Sequence, residues 1–95
     1  MALSKEDAIQ KASQDLVRRL GVSESDIEVC SVETAEFPDM ALGASVEDEM
    51  SGQMITPGWC IRLQANGQTF EYRANQHQLR LHNYKGGNYR IKVSS

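Results

Sequence analysis

Long hydrophobic runs, histidines, prolines and clustered cysteines are all scarce in this sequence, and each scarcity removes a class of function. No stretch approaches the ~20 consecutive apolar residues of a membrane-spanning helix. The opening segment, MALSKEDAIQ, turns charged by Lys5 before a secretory-type apolar core can form. A cytoplasmic protein that does not engage a membrane is therefore expected. Only Cys30 and Cys60 occur, without CxxC spacing. In a reducing compartment such cysteines usually pack as small sheet or core residues, so a disulfide is not expected. The two histidines, His77 and His82, cannot supply the roughly four tetrahedral ligands of a zinc centre. Asp39, Glu47, Asp48 and Glu49 lack the spacing of a calcium loop. There is no GxSxG elbow, no phosphate-cradling glycine loop and no HExxH. No metal, no cofactor and no enzymatic activity are expected.

What is present reads as an ordinary single globular domain of 95 residues, 40% hydrophobic and 24% charged. The net charge of −3 hides a division along the chain. Residues 1–58 carry four cations against twelve acids, whereas residues 59–95 carry six cations against Glu71 alone. Such a division matters for partners only if the fold keeps the two sets apart.

A helix is expected over about residues 5–20. Ser4 can cap free backbone N–H groups, Glu6 and Asp7 face the positive end of the helix dipole, and Ile9, Ala12, Leu16 and Leu20 recur at helical spacing. Arg18 and Arg19 suit the last turn, and Gly21 supplies the stop. Four to five antiparallel strands follow, at about 27–36, 59–65, 68–74, 79–83 and 89–93. In the first, Ile27 and Val29 share one parity while Cys30 and Val32 share the other, which predicts a bulge near Cys30.

Asn66-Gly67 is the strongest local signal, because that dipeptide suits a two-residue hairpin turn with positive φ at both positions. It pairs Trp59 with Ala74, Ile61 with Tyr72, Leu63 with Phe70 and Ala65 with Gln68, and so gathers the apolar residues on one face. Arg62 then opposes Glu71, and Cys60 opposes Arg73, on the other. A second hairpin with a three-residue loop, Lys85–Gly87, is expected to pair Leu81 with Ile91, Leu79 with Val93, Arg80 with Lys92 and His82 with Arg90. The resulting fold class is α+β, two layers, with the helix covering the apolar sheet face.

Residues 37–58 have no clean period and form a long, partly ordered loop in this reading. Phe37, Met40, Leu42, Val46, Met50, Met54 and Ile55 are available to pack it. Ser45 and Asp48 can start a helical turn, Glu47–Glu49 form an acidic knuckle, and Met54–Thr56 can add a short strand ended by Pro57-Gly58.

FPDMALG, followed by ITPGWCIRLQANGQTFEYRA, resembles a group of small uncharacterised bacterial domains over roughly residues 8–74. The matching positions are Arg19-Leu20-Gly21-Val22, Pro38-Asp39, Leu42-Gly43, Pro57-Gly58 and Glu71-Tyr72. Phe37 stands where the pattern has Trp, Ala41 where it has Ser, and Ala44 where Cys is frequent. The resemblance implies no activity. The order of helix and hairpins is also similar to PepSY-like and cystatin-like modules, which is a likeness of architecture only.

A non-enzymatic protein-interaction or regulatory module, monomeric or a weak homodimer, is the expected function. Its candidate interaction residues are Asp39, Leu42, Gly43 and Pro57 on the loop, with Arg62, Arg73, Arg80, His82 and Arg90 on the polar sheet face. Two other readings stand beside it. One is weak single-stranded nucleic-acid binding by the basic face, which the inward placement of most aromatics disfavours. The other is a protease-inhibitor-like loop at MITPGW, drawn from cystatin-like shape. A Cys60–His82 nucleophile–base pair is the one catalytic arrangement the register allows, and chance pairs of this kind far outnumber active ones.

Overall fold

Ser4 opens helix α1 (Lys5–Leu20) through a reciprocal cap: the Asp7 N–H donates to Ser4 Oγ and the Ser4 N–H donates to Asp7 Oδ2, both at 3.1 Å. Gly21 closes it in the left-handed region (φ 67°), donating its N–H to the Val17 carbonyl at 2.9 Å. The computed structural model describes residues 3–46, 49–50 and 52–92. A single 3-10 turn (Glu24–Asp26) leads into five strands, β1 (Glu28–Phe37), β2 (Thr56–Ala65), β3 (Gln68–Ala74), β4 (Leu79–Tyr84) and β5 (Gly87–Ile91). They form one antiparallel sheet in the order β1-β2-β3-β4-β5, with β1 and β5 at its edges. The fold class is α+β, one helix on an open five-stranded sheet.

The β2–β3 register pairs Trp59 with Ala74, Ile61 with Tyr72, Leu63 with Phe70 and Arg62 with Glu71, around a turn in which Asn66 and Gly67 both have positive φ. The β1–β2 ladder shifts between Val29 and Ser31. Cys30 is the extra residue, and the shift places Val29 opposite Leu63 and Val32 opposite Ile61, on the helix side.

Two strand details depart from the sequence reading. The second hairpin pairs Leu79 with Ile91, Arg80 with Arg90 and Leu81 with Tyr89, two residues away from the expected register. Its turn is only Lys85-Gly86, both with positive φ, and the spare residue is taken up by an irregularity between Leu81 and Tyr84, where Asn83 also has positive φ. A primed two-residue turn matches strand twist better than a three-residue loop. Because the slip is even, Leu79, Leu81 and Ile91 keep the core face. Val93 lies outside the described residues.

The second departure is at Pro57-Gly58, which does not end a short strand but lies within β2, opposite Glu36 and Ala35. Pairing of β3 with β2 stops at Trp59, so Pro57 is bordered by a strand on one side only and its missing N–H breaks no ladder. Gly58 is required by close approach: a Cβ there would lie 2.3 Å from the Ala74 carbonyl oxygen and 3.2 Å from the Phe37 ring.

Ala8, Ala12 and Leu16 of α1 are wholly buried against Ile61, Leu63, Tyr72, Leu79 and Leu81. The small alanines let the helix lie close to β2 and β4. One polar link crosses this core. The Tyr72 hydroxyl donates to Asp15 Oδ2 at 2.8 Å, and Arg19 Nε donates to the same oxygen at 2.6 Å. Burial, reinforced by the Asp15 charge, raises the Tyr72 phenol above its ordinary range, so it stays a donor. The Arg19 guanidinium also sits 4.8 Å from the Tyr89 ring centroid and 5.4 Å from that of Tyr84, closing the far end of the core. Tyr72→Phe is expected to lower stability by about 1–2 kcal/mol, the cost of removing one donor from a buried carboxylate. Urea denaturation of both proteins at pH 7 checks it.

Candidate functional site

The opposite sheet face carries Cys60, Arg62, Glu71, Arg73, Arg80 and His82, and residues 38–46 with Glu49 fold across part of it. Phe37 leaves β1 with its ring beside Gly58, packed with Leu42 and Cys60 in a second, smaller apolar cluster. The Arg73 guanidinium carbon lies 5.3 Å from that ring centroid. Pro38 then turns the chain. Asp39 Oδ1 accepts the N–H groups of Ala41 (2.9 Å) and Gly43 (3.0 Å), a side-chain-closed turn that holds Leu42 (φ 59°) and Gly43 (φ 66°) in the left-handed region.

That turn aims its carbonyls at the sheet. Arg73 Nη1 donates to the Leu42 and Gly43 oxygens at 3.0 and 3.1 Å, and Arg80 Nη1 to the Ala44 oxygen at 3.3 Å. Gln78 Nε2 donates to the Met40 oxygen at 2.7 Å and Asn88 Nδ2 to the Ser45 oxygen at 2.8 Å. Arg80 also makes a bidentate pair with Glu49, at 2.6 and 2.7 Å. Both partners are largely buried, with side-chain exposures of 5% and 14%. The hydrogen bonds from Arg80 outweigh burial and hold the Glu49 carboxyl at about 2.

The residues singled out in the sequence therefore separate into groups. Asp39, Leu42, Gly43, Arg73 and Arg80 come together, but as an internal clamp. Leu42 is fully buried and Arg80 is 4% exposed, so neither is within reach of a partner while the loop is closed. Arg62 pairs with Glu33 (3.1 Å) and Glu71 (3.6 Å). Burial would raise the Glu71 carboxyl, but the Arg73 hydrogen bond and the Arg73, His82 and Arg62 charges hold it below the ordinary value. His82 faces Glu71 across the β3–β4 ladder, and β3 separates it from Cys60 on β2. Cys60 is buried, which pushes its thiol up. Cys30 and Cys60 are both free thiols. Arg90 is exposed and reaches Glu49 only at 3.8 Å. Pro57 is exposed and falls on the helix side of the sheet. Met40, Met50, Met54 and Ile55 do not pack the loop but are exposed on it. Glu47 and Asp48 lie outside the described residues. Among the described residues no helix is long and apolar enough to cross a membrane, and no three His, Cys, Asp or Glu side chains gather as a metal cluster.

Sequence reasoning missed the edge of the sheet at β1. Helix α1 contacts β2 and β4, and the loop clamp grips β3, β4 and β5, so the end of β1 around Thr34 is left with a hollow on each face. On the helix side a cleft of about 680 Å³ runs between Leu3, Thr34, Pro57, Trp59 and His77. On the loop side a shallower hollow of about 400 Å³ is lined by Glu33, Ala35, Phe37, Cys60 and Arg62. A signal for this edge was in the sequence: no Lys or Arg occurs between Arg19 and Arg62.

The clamp makes a pH prediction. A carboxyl held at about 2 when folded, against an ordinary 4.5, favours the folded state above the ordinary value and loses that contribution as pH falls toward 2. Glu49→Gln is expected to be less stable than the parent by about 1–3 kcal/mol at pH 7, with the gap closing as pH falls through this window. Urea midpoints measured at several pH values for both proteins test this.

No curated protein and no solved structure matches the chain. A family model does match, over residues 9–82, from the second turn of α1 to His82 on β4, and so takes in the Asp39 turn, the β2–β3 hairpin and both clamping arginines. The chain therefore belongs to the family described as a domain of unknown function, DUF8738.

Proposed function

We propose that this chain is a non-enzymatic protein-interaction module that meets its partner along the free edge of β1. The observation that carries this reading is an edge strand, paired on one side only among the described residues, with a hollow on each face, the two meeting at Thr34. An edge strand presents unsatisfied N–H and C=O groups in a row, ready to pair with another chain. The partly buried Trp59 lines one hollow, and the exposed Met54 and Ile55, at 63% and 66%, directly precede Thr56, which lines it too. Exposed apolar surface beside polar edge groups is the usual composition of a recognition patch.

The other readings have less behind them. Arg73 and Arg80 spend their donors on the loop, and the loop occupies the surface a nucleic acid would need. Thr56–Trp59 is β2 strand rather than a projecting inhibitory loop. For catalysis, the buried Cys60 with its raised thiol is a poor nucleophile.

A photo-crosslinking residue placed at Thr34 is expected to trap discrete protein adducts in cells making the full chain. The same group at Gln14, exposed on α1, is expected to trap none of them. Identical adducts from both positions, or none from Thr34, would refute the edge as the site.

A further inference from the structure

We infer that the occupant of the β1 edge is an extended basic segment of another protein, which adds as a sixth strand and seats an apolar side chain over Trp59. This rests on the reading of β1 as the recognition edge and specifies its partner.

The geometry favours an extended segment. Successive side chains of a strand project to opposite faces, so a strand laid beside Ser31–Phe37 sends alternate residues toward the two hollows. Main-chain pairing then provides affinity, and the hollows select side chains. The bulge at Cys30 interrupts the ladder and leaves Ser31–Phe37 as the regular stretch, which sets the length of the added strand.

Charge selects a basic segment. Glu24, Asp26, Glu28, Glu33 and Glu36 line β1 and the turn before it, and all are exposed. Among the described residues only Glu33 of these has an ion-pair partner, Arg62. No Lys or Arg lies on β1 itself; Lys5 borders the helix-side cleft and Arg62 and Arg73 border the loop-side hollow, yet Glu24, Asp26, Glu28 and Glu36 have no ion-pair partner among the described residues. Opposite charges on neighbouring strands stabilise a pair and like charges oppose it. The same acids that prevent neutral edge-to-edge aggregation therefore admit a lysine- or arginine-bearing strand. They also disfavour a second copy paired β1 to β1, which would bring two sets of Glu28, Glu33 and Glu36 together along one seam.

The helix-side hollow requires an apolar residue on the partner. Its floor is Trp59, flanked by Leu3 and Pro57. Trp59 is also the protein's single tryptophan, so its fluorescence reports occupancy of this cleft directly.

The probe is a capped seven-residue peptide alternating lysine with valine, with leucine at its central apolar position. Titrated into the full chain at low salt, it is expected to shift Trp59 emission to the blue. It is also expected to move the backbone amide resonances of residues 31–37 in preference to those of α1. The same peptide with glutamate for lysine, and the basic peptide N-methylated at alternate backbone positions, are each expected to bind at least about tenfold more weakly. Glu36→Lys, a change at an exposed position, is expected to weaken the basic peptide by about tenfold without altering the far-UV spectrum.

Equal binding of the N-methylated peptide would reduce the effect to diffuse electrostatics and overturn strand addition. Shifts centred away from β1, or sedimentation showing a dimer that Glu36→Lys disperses, would overturn it as well. If Thr34 traps a partner while the basic peptide fails to bind, the partner chemistry is wrong and the interaction reading survives. If Thr34 traps nothing, both fall.

Discussion

Five carbonyl oxygens of the 40–45 segment, those of Met40, Leu42, Gly43, Ala44 and Ser45, accept hydrogen bonds from side chains on β3, β4, β5 and the β3–β4 turn. Everything on the non-helical face depends on that arrangement. Helix α1 can cover only one side of a sheet, and the other side carries Arg73 and Arg80 where an apolar partner would otherwise pack. The loop resolves this by presenting backbone acceptors to the arginines and supplying Glu49 as counter-ion. Both arginines and these five loop carbonyls thereby find partners, which is what burial of polar groups demands.

The clamp also explains why the Asp39 turn takes the shape it does. Directing the Leu42 and Gly43 carbonyls at one guanidinium requires two successive left-handed residues, a conformation that costs energy at a branched side chain such as leucine. Asp39 offsets the cost by holding two N–H groups, and burial of Leu42 against Phe37 and Cys60 adds to it. At Gly43 a Cβ would lie 2.6 Å from Arg73 Nη1, so a side chain there would push the guanidinium off its carbonyls and strain a left-handed backbone (φ 66°). A stretch holding proline, acid and glycine among apolar residues is thus a packed tie between β1 and the middle of the sheet.

Covering the centre of the sheet on both faces leaves the edge strands as margins, and of the two β1 is the one that carries the acids. Five of the acids before Arg62, Glu24, Asp26, Glu28, Glu33 and Glu36, lie along that margin, while most of the later cations turn to the clamp or to local pairs. The charge division of the sequence is therefore kept apart in space on one side and cancelled on the other. Along β1, edge backbone groups, acidic charge and two hollows coincide.

Local chemistry made several features legible in the sequence. Ser4 and Gly21 bound the helix, Asn66-Gly67 dictates the β2–β3 register, and the parity break at Cys30 marks a bulge, because each depends only on neighbouring residues and on keeping apolar side chains to one face. The second hairpin was half legible: its core residues were assigned to the right face, yet the choice between Lys85-Gly86 and Lys85–Gly87 rested on where a spare residue could be absorbed, which local pattern does not say. The continuation of β2 through Pro57-Gly58 depended on β3 ending opposite Trp59, and the role of Glu49 on an arginine some thirty residues away in sequence. By itself the sequence determined the helix, the central register and the sign of charge along each half. Tertiary structure alone decided which charges meet and which edge stays open, because those outcomes depend on contacts between segments far apart along the chain.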